Sequence, residues 1–349
     1  MNLLIFLLAL SILVLVHEFG HYIMAVKCGI AVEEFGLGLP PRLWGKKFGK
    51  TIVSLNWLPI GGFCKLYGED GDGKGNVAFN NKSPLQKLWV VLGGVLMNVV
   101  MAIMIFSIVY FILGVPIETK KVKILEIAKN SPAEMAGMKK NDWVMQVNDT
   151  VISKPDELIK MTEQYKGKML KLKLQTNGVE KVVEVESRLN PPEGEGAMGV
   201  SISNMEMVKI KWYEIYKGIG YGFKEAYYWG KIIAGGVWNM IFGLIQGKAP
   251  KDVSGPLGMY EATSAIKQNQ GMLAVIHFFG IVSVNLAIVN ILPFPALDGG
   301  RIIFVLYEMI TKRKANQRFE MAVNNIGMWV LLTLIFMITV GDIRRLIMR

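Results

Sequence analysis

Four long apolar segments, separated by more polar stretches, form the main hydrophobic pattern of the chain. They cover residues 1–26, 88–113, 272–292 and 326–340, and the last one extends back through 321–323. A helix needs about 20 mostly apolar residues to cross a bilayer, and the first three segments reach that length. The first has no positively charged start and no small-residue cleavage site after it, so it does not resemble a signal peptide. We therefore predict four transmembrane helices and expect the first to be retained.

The residues between the second and third apolar segments follow a different pattern. Short runs with β-like alternation (VKILEI, DWVMQV, MLKLKLQ and KVVEVE) are separated by turn signals and by one helical segment, PDELIKMTEQY. Alternation with period two, broken by turn residues, is typical of strands in a sheet. This pattern predicts an inserted β-rich domain over residues 115–190.

A mixed basic and aromatic segment follows the predicted β-rich domain. Residues 209–246 combine lysines with several tryptophans and tyrosines. This composition is typical of an amphipathic helix that lies in the membrane interface. A fifth span over residues 232–245 stays open as an alternative, although that window is shorter than the roughly 17 residues a span needs.

The polar stretch after the first apolar segment contains a smaller β-like region, Thr51–Lys65. Strand character is strongest around Ile52–Leu55 and Phe63–Leu66, and residues 59–62 between them contain a proline and two glycines. We predict a β-hairpin that bends at 59–62. It is apolar enough to contact the bilayer or the helices.

Together these elements predict a polytopic α-helical membrane protein with four transmembrane helices, a membrane-associated β-hairpin and an inserted β-rich domain. We divide the chain into an N-terminal membrane core (1–114), the inserted domain (115–190), an interfacial region (191–271) and a C-terminal membrane core (272–349). Lysines and arginines are concentrated in the stretches 27–87 and 301–318. The positive-inside rule places both stretches in the cytoplasm, and the N-terminus and the inserted domain outside.

Composition supports a membrane protein and limits which residue types can bind a metal ion. Of the 349 residues, 52% are hydrophobic and 19% are charged, whereas soluble domains carry about 25% charged residues. The net charge of +11 is explained by basic residues beside apolar segments, and no nucleic-acid-binding motif is present. Since the chain has only two cysteines, Cys28 and Cys64, any metal ligands must come mainly from histidines and carboxylates.

The pattern His-Glu-x-x-His closes the first apolar segment, as His17-Glu18-Phe19-Gly20-His21. Four residues along a helix return nearly to the same face, so both imidazoles can bind one metal ion. Zinc suits imidazole ligands, and Glu18 beside them can act as a general base. The alternative is a set of packed polar residues, but ionisable groups inside a membrane span are costly and usually functional.

A catalytic zinc commonly has three protein ligands, so a third must lie elsewhere in the chain. His277 is expected in the outer half of its segment, whereas the histidine pair lies about 24–30 Å along the first helix. A packing or proton-relay role is therefore favoured for His277. Asp298, in NILPFPALDGGR, is expected at the same depth in the membrane as His17 and His21. It could equally be the N-cap of the following helix. The pattern alone leaves both roles open.

These motifs together resemble a known family. HEFGH, followed much later by NILPFPALDGG, resembles the HExxH and NxxPxPxLDG motifs of the site-two protease family of intramembrane zinc metalloproteases. SPAEMAGMKKNDWVMQVND in the inserted domain resembles a PDZ domain. A single PDZ domain is similar to the shorter bacterial members of the family.

The resemblance implies Zn²⁺ as the cofactor, with His17, His21 and Asp298 as its ligands and Glu18 as the general base. The implied reaction is hydrolysis of peptide bonds within or next to transmembrane segments of pre-trimmed, single-pass membrane proteins. Anti-sigma factors and remnant signal peptides are the implied substrates of such regulated intramembrane proteolysis. The implied location is a bacterial inner membrane, with the active site near its cytoplasmic face.

The resemblance also implies residues that meet the substrate. Asn290, and less directly Asn285, are expected to contact the substrate backbone or the developing oxyanion. Gly36 and Gly38 match a Gly-x-Gly loop near the active site, and the Thr51–Lys65 hairpin matches a loop thought to pair with extended substrate.

Departures from the PDZ pattern concern the turns. Asn141 replaces a glycine, and Asp149-Thr150 replaces an Asn-Gly or Asp-Gly turn. These changes leave open whether a peptide ligand of the PDZ domain is a further partner.

Two other classes of function compete with the protease. One is a membrane scaffold that binds tails through its PDZ domain and uses a structural metal site; it predicts closed coordination and no turnover. The other is an ion transporter, which would need polar residues spread through several spans. Glu18 argues against the scaffold, because a structural metal needs no base.

Overall fold

The computed structural model describes residues 2–69, 71, 73–176, 178–192, 194–247 and 255–347. The chain divides into two compact units, one formed by Met1–Tyr110 with Tyr213–Arg349 and the other by Phe111–Trp212. The described residues form these elements in chain order: α1 Asn2–Lys27, β1 Val32–Phe48, β2 Thr51–Leu66, α2 Pro84–Leu113, β3 Val115–Ile127, α3 Pro132–Met135, β4 Trp143–Val147, β5 Thr150–Val151, α4 Pro155–Gln164, β6 Met169–Thr176, β7 Val179–Glu186, β8 Val200–Val208, α5 Ile215–Ile245, α6 Pro256–Gln270, α7 Met272–Ile291, α8 Asp298–Thr311 and α9 Gln317–Ile347.

Among the described residues, four helices are long and apolar enough to cross a membrane, namely α1, α2, α7 and α9. They coincide with the four predicted segments. α9 begins at Gln317, four residues before the predicted backward extension of the segment to 321, because polar residues there continue the helix without adding to its hydropathy. Helix α5 is 31 residues long and exposes many aromatic side chains; its position in the membrane interface stays a prediction.

Strands β1 and β2 form a sheet whose pairing differs from the predicted hairpin. The chain reverses between Phe48 and Thr51, which stand opposite each other. Gly49, in this turn, has a φ of +61°. The two runs predicted to pair with each other, 52–55 and 63–66, instead both stand opposite residues within 32–37 of β1. Residues 34–37 are therefore enclosed between two stretches of β2, which local alternation cannot reveal.

The unit Phe111–Trp212 is a sheet with two short helices. Its strand order is β7-β6-β4-β3-β8, with β5 beside β4. Its core includes fully buried Ile124, Leu158, Leu172 and Leu174. The sequence placed the end of this domain at residue 190, and the structure adds β8 to the same sheet, with Ile202 opposite Ile124 of β3.

Asparagines occupy the turns in which this domain departs from the PDZ pattern. Asn141 has a φ of +74° and Asn148 a φ of +52°, in the left-handed region that asparagine tolerates better than most residues. The Asn148 side chain also accepts a hydrogen bond from the backbone N–H of Lys171 at 3.0 Å. The turns therefore form without the usual glycines.

Asp142 is a fully buried carboxylate in this domain. It accepts hydrogen bonds from the Lys139 backbone N–H at 2.9 Å and the Thr176 hydroxyl at 2.6 Å, and the Lys181 ammonium lies 2.8 Å away. Burial alone would raise the pKa of Asp142, but the Lys181, Thr176 and Lys139 groups outweigh it and hold that pKa below its ordinary value. The stability that this carboxylate contributes is present above its unfolded pKa of about 4 and is lost as pH falls through the lower folded value.

We expect Asp142→Asn to destabilise the 111–212 fragment by about 2 kcal/mol or more at pH 7, since charged hydrogen bonds are lost in a buried place. The difference from the wild type should shrink below about pH 4, where the unfolded wild type also binds the proton. Urea unfolding at several pH values measures both effects. Asp149→Asn, at an exposed position, is the control and should change stability by less than about 0.5 kcal/mol. Equal losses in both variants would contradict the assigned role.

Candidate metal centre

Helices α1 and α2 touch through glycines, and this contact sets the depth of the site. A Cβ atom on Gly20 would lie 2.2 Å from the carbonyl oxygen of Gly93, and one on Gly93 would lie 2.5 Å from that of Gly20. At Gly94, a Cβ would lie 2.5 Å from Nε2 of His21 and 2.6 Å from Cε1 of His17. The two imidazole rings therefore occupy the space that a side chain at Gly94 would need.

Three potential metal-ligand atoms converge above this contact. The Nε2 atoms of His17 and His21 are 3.2 Å apart, and Oδ2 of Asp298 lies 3.1 Å from the first and 3.3 Å from the second. These residues form a group whose ligand atoms all lie within 4.8 Å of one another. Oδ2 of Asp298 is buried with no hydrogen-bond partner among the described residues. Two imidazoles and a carboxylate are a donor set that fits zinc, which would satisfy that oxygen.

Each imidazole makes a hydrogen-bond contact through Nδ1, the ring nitrogen that does not face the other potential ligand atoms, as is usual for metal-binding histidines. Nδ1 of His21 lies 2.9 Å from the Val90 carbonyl oxygen, an acceptor, so Nδ1 carries the proton and Nε2 is free to bind a metal. Nδ1 of His17 lies 3.2 Å from the side-chain amide of Asn98. The Asn98 side chain is fully buried and its Oδ1 has no partner among the described residues. An amide turned with that oxygen towards His17 would accept a hydrogen bond from the Nδ1–H of His17 and satisfy both groups.

Asp298 reaches the histidines because the chain between α7 and α8 folds back tightly. Asp298 is the first residue of α8, and its N-cap Leu297 has no side-chain capping bond. A Cβ on Gly299 would lie 1.9 Å from the Leu292 carbonyl oxygen, and one on Gly300 would lie 2.6 Å from that of Phe294. Glycine is therefore required at both positions. Of the two roles that the sequence left open, the structure directs the carboxylate towards His17 and His21.

Glu18 lines the same cavity as the three candidate ligands. This cavity has a volume of about 450 Å³. Its lining combines apolar residues of α1, α2, α7 and β2 with the polar side chains of Glu69, Asn98, Asn290 and Arg301. The side chain of Glu18 passes close to Gly62, where a Cβ would lie 3.8 Å from its Cγ. Phe63 and Cys64 of β2 also line the cavity, so one side of this strand faces the site.

The four residues expected to meet substrate lie at different distances from the cavity. The Asn290 amide lines it and lies 3.4 Å from Nε2 of His17. Asn285 is not among the lining residues, because five residues along α7 turn its side chain about 140° away. Gly36 and Gly38 lie on β1, behind the β2 residues that line the cavity. A Cβ added to Gly36 would lie 2.4 Å from the Phe63 ring, and one added to Gly38 would lie 2.3 Å from the Leu58 carbonyl oxygen.

His277 lies in a separate polar cluster, and it is not part of the candidate metal group. Its Nε2 is 3.2 Å from Oε1 of Glu225. The same carboxylate accepts hydrogen bonds from the Tyr110 hydroxyl at 2.8 Å and the Trp229 indole N–H at 2.9 Å. His277 thus helps α7 to pack against α5 and α2.

Gly94 and Asn98 contribute to the site without being identified as site residues from the sequence. For Asn98 the available signal was a polar side chain inside an apolar span. For Gly94 the signal was the glycine pair Gly93-Gly94 inside an apolar span, because adjacent glycines permit close helix packing.

The sequence was compared with protein families and with other proteins. The model of peptidase family M50 matches residues 5–334. A protein of Clostridium acetobutylicum is 33% identical over 343 residues, covering 98% of this chain and 97% of its own. One of Clostridium perfringens is 32% identical, covering 97% of both chains. A third, of Campylobacter jejuni, is 32% identical, covering 97% of this chain and 92% of its own. All three are provisionally named zinc metalloproteases.

Among solved structures, the PDZ domain of an SdrC-like protein from Listeria monocytogenes matches 25% of this chain and 93% of its own. The identity is 13% and the TM-score 0.22. The corresponding domain from Listeria innocua matches with 15% identity and the same TM-score of 0.22.

Proposed function

The chain belongs to peptidase family M50 and is a zinc metalloprotease, and we propose that it hydrolyses peptide bonds within or next to transmembrane segments. The observation that carries this proposal is the meeting of His17, His21, Asp298 and Glu18 in one cavity between helices long and apolar enough to cross a membrane. A protease site between such helices is suited to substrates that lie in the bilayer.

In the proposed mechanism, His17, His21 and Asp298 would hold the zinc ion. A bound zinc ion would act as a Lewis acid towards the scissile carbonyl group. Glu18 takes a proton from the attacking water and later delivers it to the leaving amine, as a general base and then a general acid. The Asn290 amide donates a hydrogen bond to the carbonyl oxygen as negative charge develops there.

A substrate helix must unwind before cleavage, because its carbonyl groups are engaged in internal hydrogen bonds. Residues 62–65 of β2 stand opposite β1 on one side, and Phe63 and Cys64 line the catalytic cavity. We assign this stretch as the edge on which an extended substrate adds as a further strand. In this arrangement Gly36 and Gly38 support the strand from behind. Asn285 faces another side of α7, so we assign it no direct contact with the scissile bond.

The basic stretches 27–87 and 301–318 support an orientation with the N-terminus and the inserted domain outside a bacterial inner membrane. The active site then opens near the cytoplasmic face, where water is available. The inserted domain and α5 would exclude substrates with large outer domains, so cleavage would follow an earlier trimming step. Membrane-anchored anti-sigma factors and remnant signal peptides have the required form.

The test uses the full-length protein in detergent and a transmembrane peptide without an outer domain. We expect cleavage to stop when zinc is removed with a chelator and to return when zinc, but not magnesium, is added. Asp298→Ala is expected to retain much less zinc and to lose cleavage with it.

The scaffold alternative makes the opposite prediction. Protein that retains zinc and binds such peptides, yet cleaves none of several sequences, would support a structural metal site. The Glu18 carboxylate in the same cavity as the ligand atoms favours the protease, because a structural zinc site needs no base.

A further inference from the structure

A groove lies between the start of α2 and the turn that joins α8 to α9. Residues 82–85 form one wall, and Glu308, Met309 and residues 312–314 form the other; its volume is about 500 Å³. We call it the basic groove, because its lining includes Lys82, Lys312, Arg313 and Lys314. It is distinct from the catalytic cavity, with which it shares no lining residue.

The basic groove carries positive charge that the described residues do not neutralise. Its acidic residue, Glu308, is already paired with Lys87 at 2.7 Å, and both of these side chains are largely buried. The Lys314 ammonium donates to the neutral side-chain oxygen of Asn81 at 3.1 Å. None of the four lining cations forms an ion pair with a described carboxylate. The groove therefore attracts an anion.

Hydrogen bonds hold the turn that joins α8 to α9 in one conformation. The Lys312 N–H donates to the Glu308 carbonyl oxygen at 3.0 Å, and Lys312 has a φ of +55°. The Arg313 N–H donates to the Thr311 hydroxyl at 3.3 Å, and the Ala315 N–H donates to Oε1 of Glu308 at 3.2 Å. The backbone that carries three consecutive cations is thus ordered before any ligand binds, which lowers the entropy cost of binding.

The location of the groove identifies the kind of anion. Pro84 begins one candidate membrane span and Gln317 begins another, so the groove lies at the ends of spans, where lipid headgroups are found. Leu85, Met309 and Ile310 beside it expose 55%, 41% and 80% of their surface, a suitable contact for acyl chains. The N-terminus of α2 also favours a phosphate. From charge, preorganised backbone and apolar surroundings together, we propose that the basic groove binds the headgroup of an anionic phospholipid.

The test measures lipid retained by the full-length protein in mixed micelles, using native mass spectrometry with phosphatidylglycerol and phosphatidylcholine. The wild type is expected to retain phosphatidylglycerol selectively. Lys312→Gln/Arg313→Gln/Lys314→Gln is expected to weaken this binding by about 100-fold at low salt, since each basic residue near anionic lipid contributes several-fold. Lys46→Gln/Lys47→Gln/Lys50→Gln removes the same charge from exposed positions of β1 and its turn, and it should retain the lipid.

Two further measurements separate the outcomes. A phosphatidylglycerol with a photoreactive group near its headgroup should crosslink the wild type at residues 82–85 and 308–314, without any substitution that could disturb folding. Inorganic phosphate at millimolar concentration should not displace the lipid, because it lacks the apolar part. Equal lipid loss in both triple variants, crosslinks elsewhere, or full displacement by phosphate would each overturn the proposal.

Discussion

Glu18→Gln is expected to lower the rate of peptide-bond cleavage by about 10²–10⁴-fold, the usual contribution of a positioned general base, while the protein retains its zinc. Glutamine has nearly the same shape but cannot accept a proton at neutral pH. Since Glu18 lies in the cavity but outside the group His17, His21 and Asp298, its replacement should leave the ligand set intact. Substrate affinity should change little.

The measurement compares initial cleavage rates and zinc per protein for the wild type and the variant. Glu126→Gln, at an exposed position of the inserted domain, makes the same chemical change away from the cavity and should cleave normally. A Glu18→Gln protein that keeps more than a tenth of the activity would exclude Glu18 as the base. A parallel loss of zinc would mean that Glu18 acts on the metal site instead.

Gly94→Ala is the second substitution for which we expect a large effect, namely loss of most of the bound zinc and of cleavage. The added methyl group would lie 2.5–2.6 Å from atoms of both imidazole rings. The rings cannot withdraw easily, because the Val90 carbonyl oxygen holds one and the Asn98 amide the other. One or both Nε2 atoms must therefore leave the position from which they bind the metal, which should cost at least tenfold in zinc affinity.

This substitution separates site geometry from helix stability. Alanine favours a helix over glycine by about 1 kcal/mol, so weakening of α2 is not a reason to expect zinc loss. Gly235→Ala in α5 is the matched control, because nothing lies within 4 Å of the position that its Cβ would take. Zinc titration of the metal-free proteins measures the effect. Wild-type affinity in Gly94→Ala would show that the rings adjust, and it would contradict the role assigned to this glycine.

Much of the architecture and chemistry follows from short stretches of sequence. The four apolar segments predicted the four long apolar helices, because hydropathy is a property of each segment alone. His17, Glu18 and His21 could be grouped because helical spacing brings i and i+4 to one face. The resemblance to site-two proteases is confirmed by the match to peptidase family M50 over residues 5–334, and zinc as the cofactor agrees with the names of the relatives.

Other features depended on contacts between distant parts of the chain. Alternation predicted that 52–55 and 63–66 would pair with each other, whereas both stretches lie beside residues within 32–37 of β1. Strand β8 joined the inserted sheet from beyond the predicted boundary. Local periodicity identifies a strand but not its neighbour, since the neighbour is chosen by packing across the whole sheet.

The same division applies within the site. The sequence by itself determined which residue types were present and which of them share a helix face. Only the tertiary structure decided that Asp298 directs its carboxylate to the histidines rather than capping α8, and that Asn290, unlike Asn285, lines the cavity. It also placed Gly94 directly beneath the imidazoles. These outcomes depend on a tight backbone turn and on the close approach of two helices, and such distances are set by packing between segments far apart in sequence.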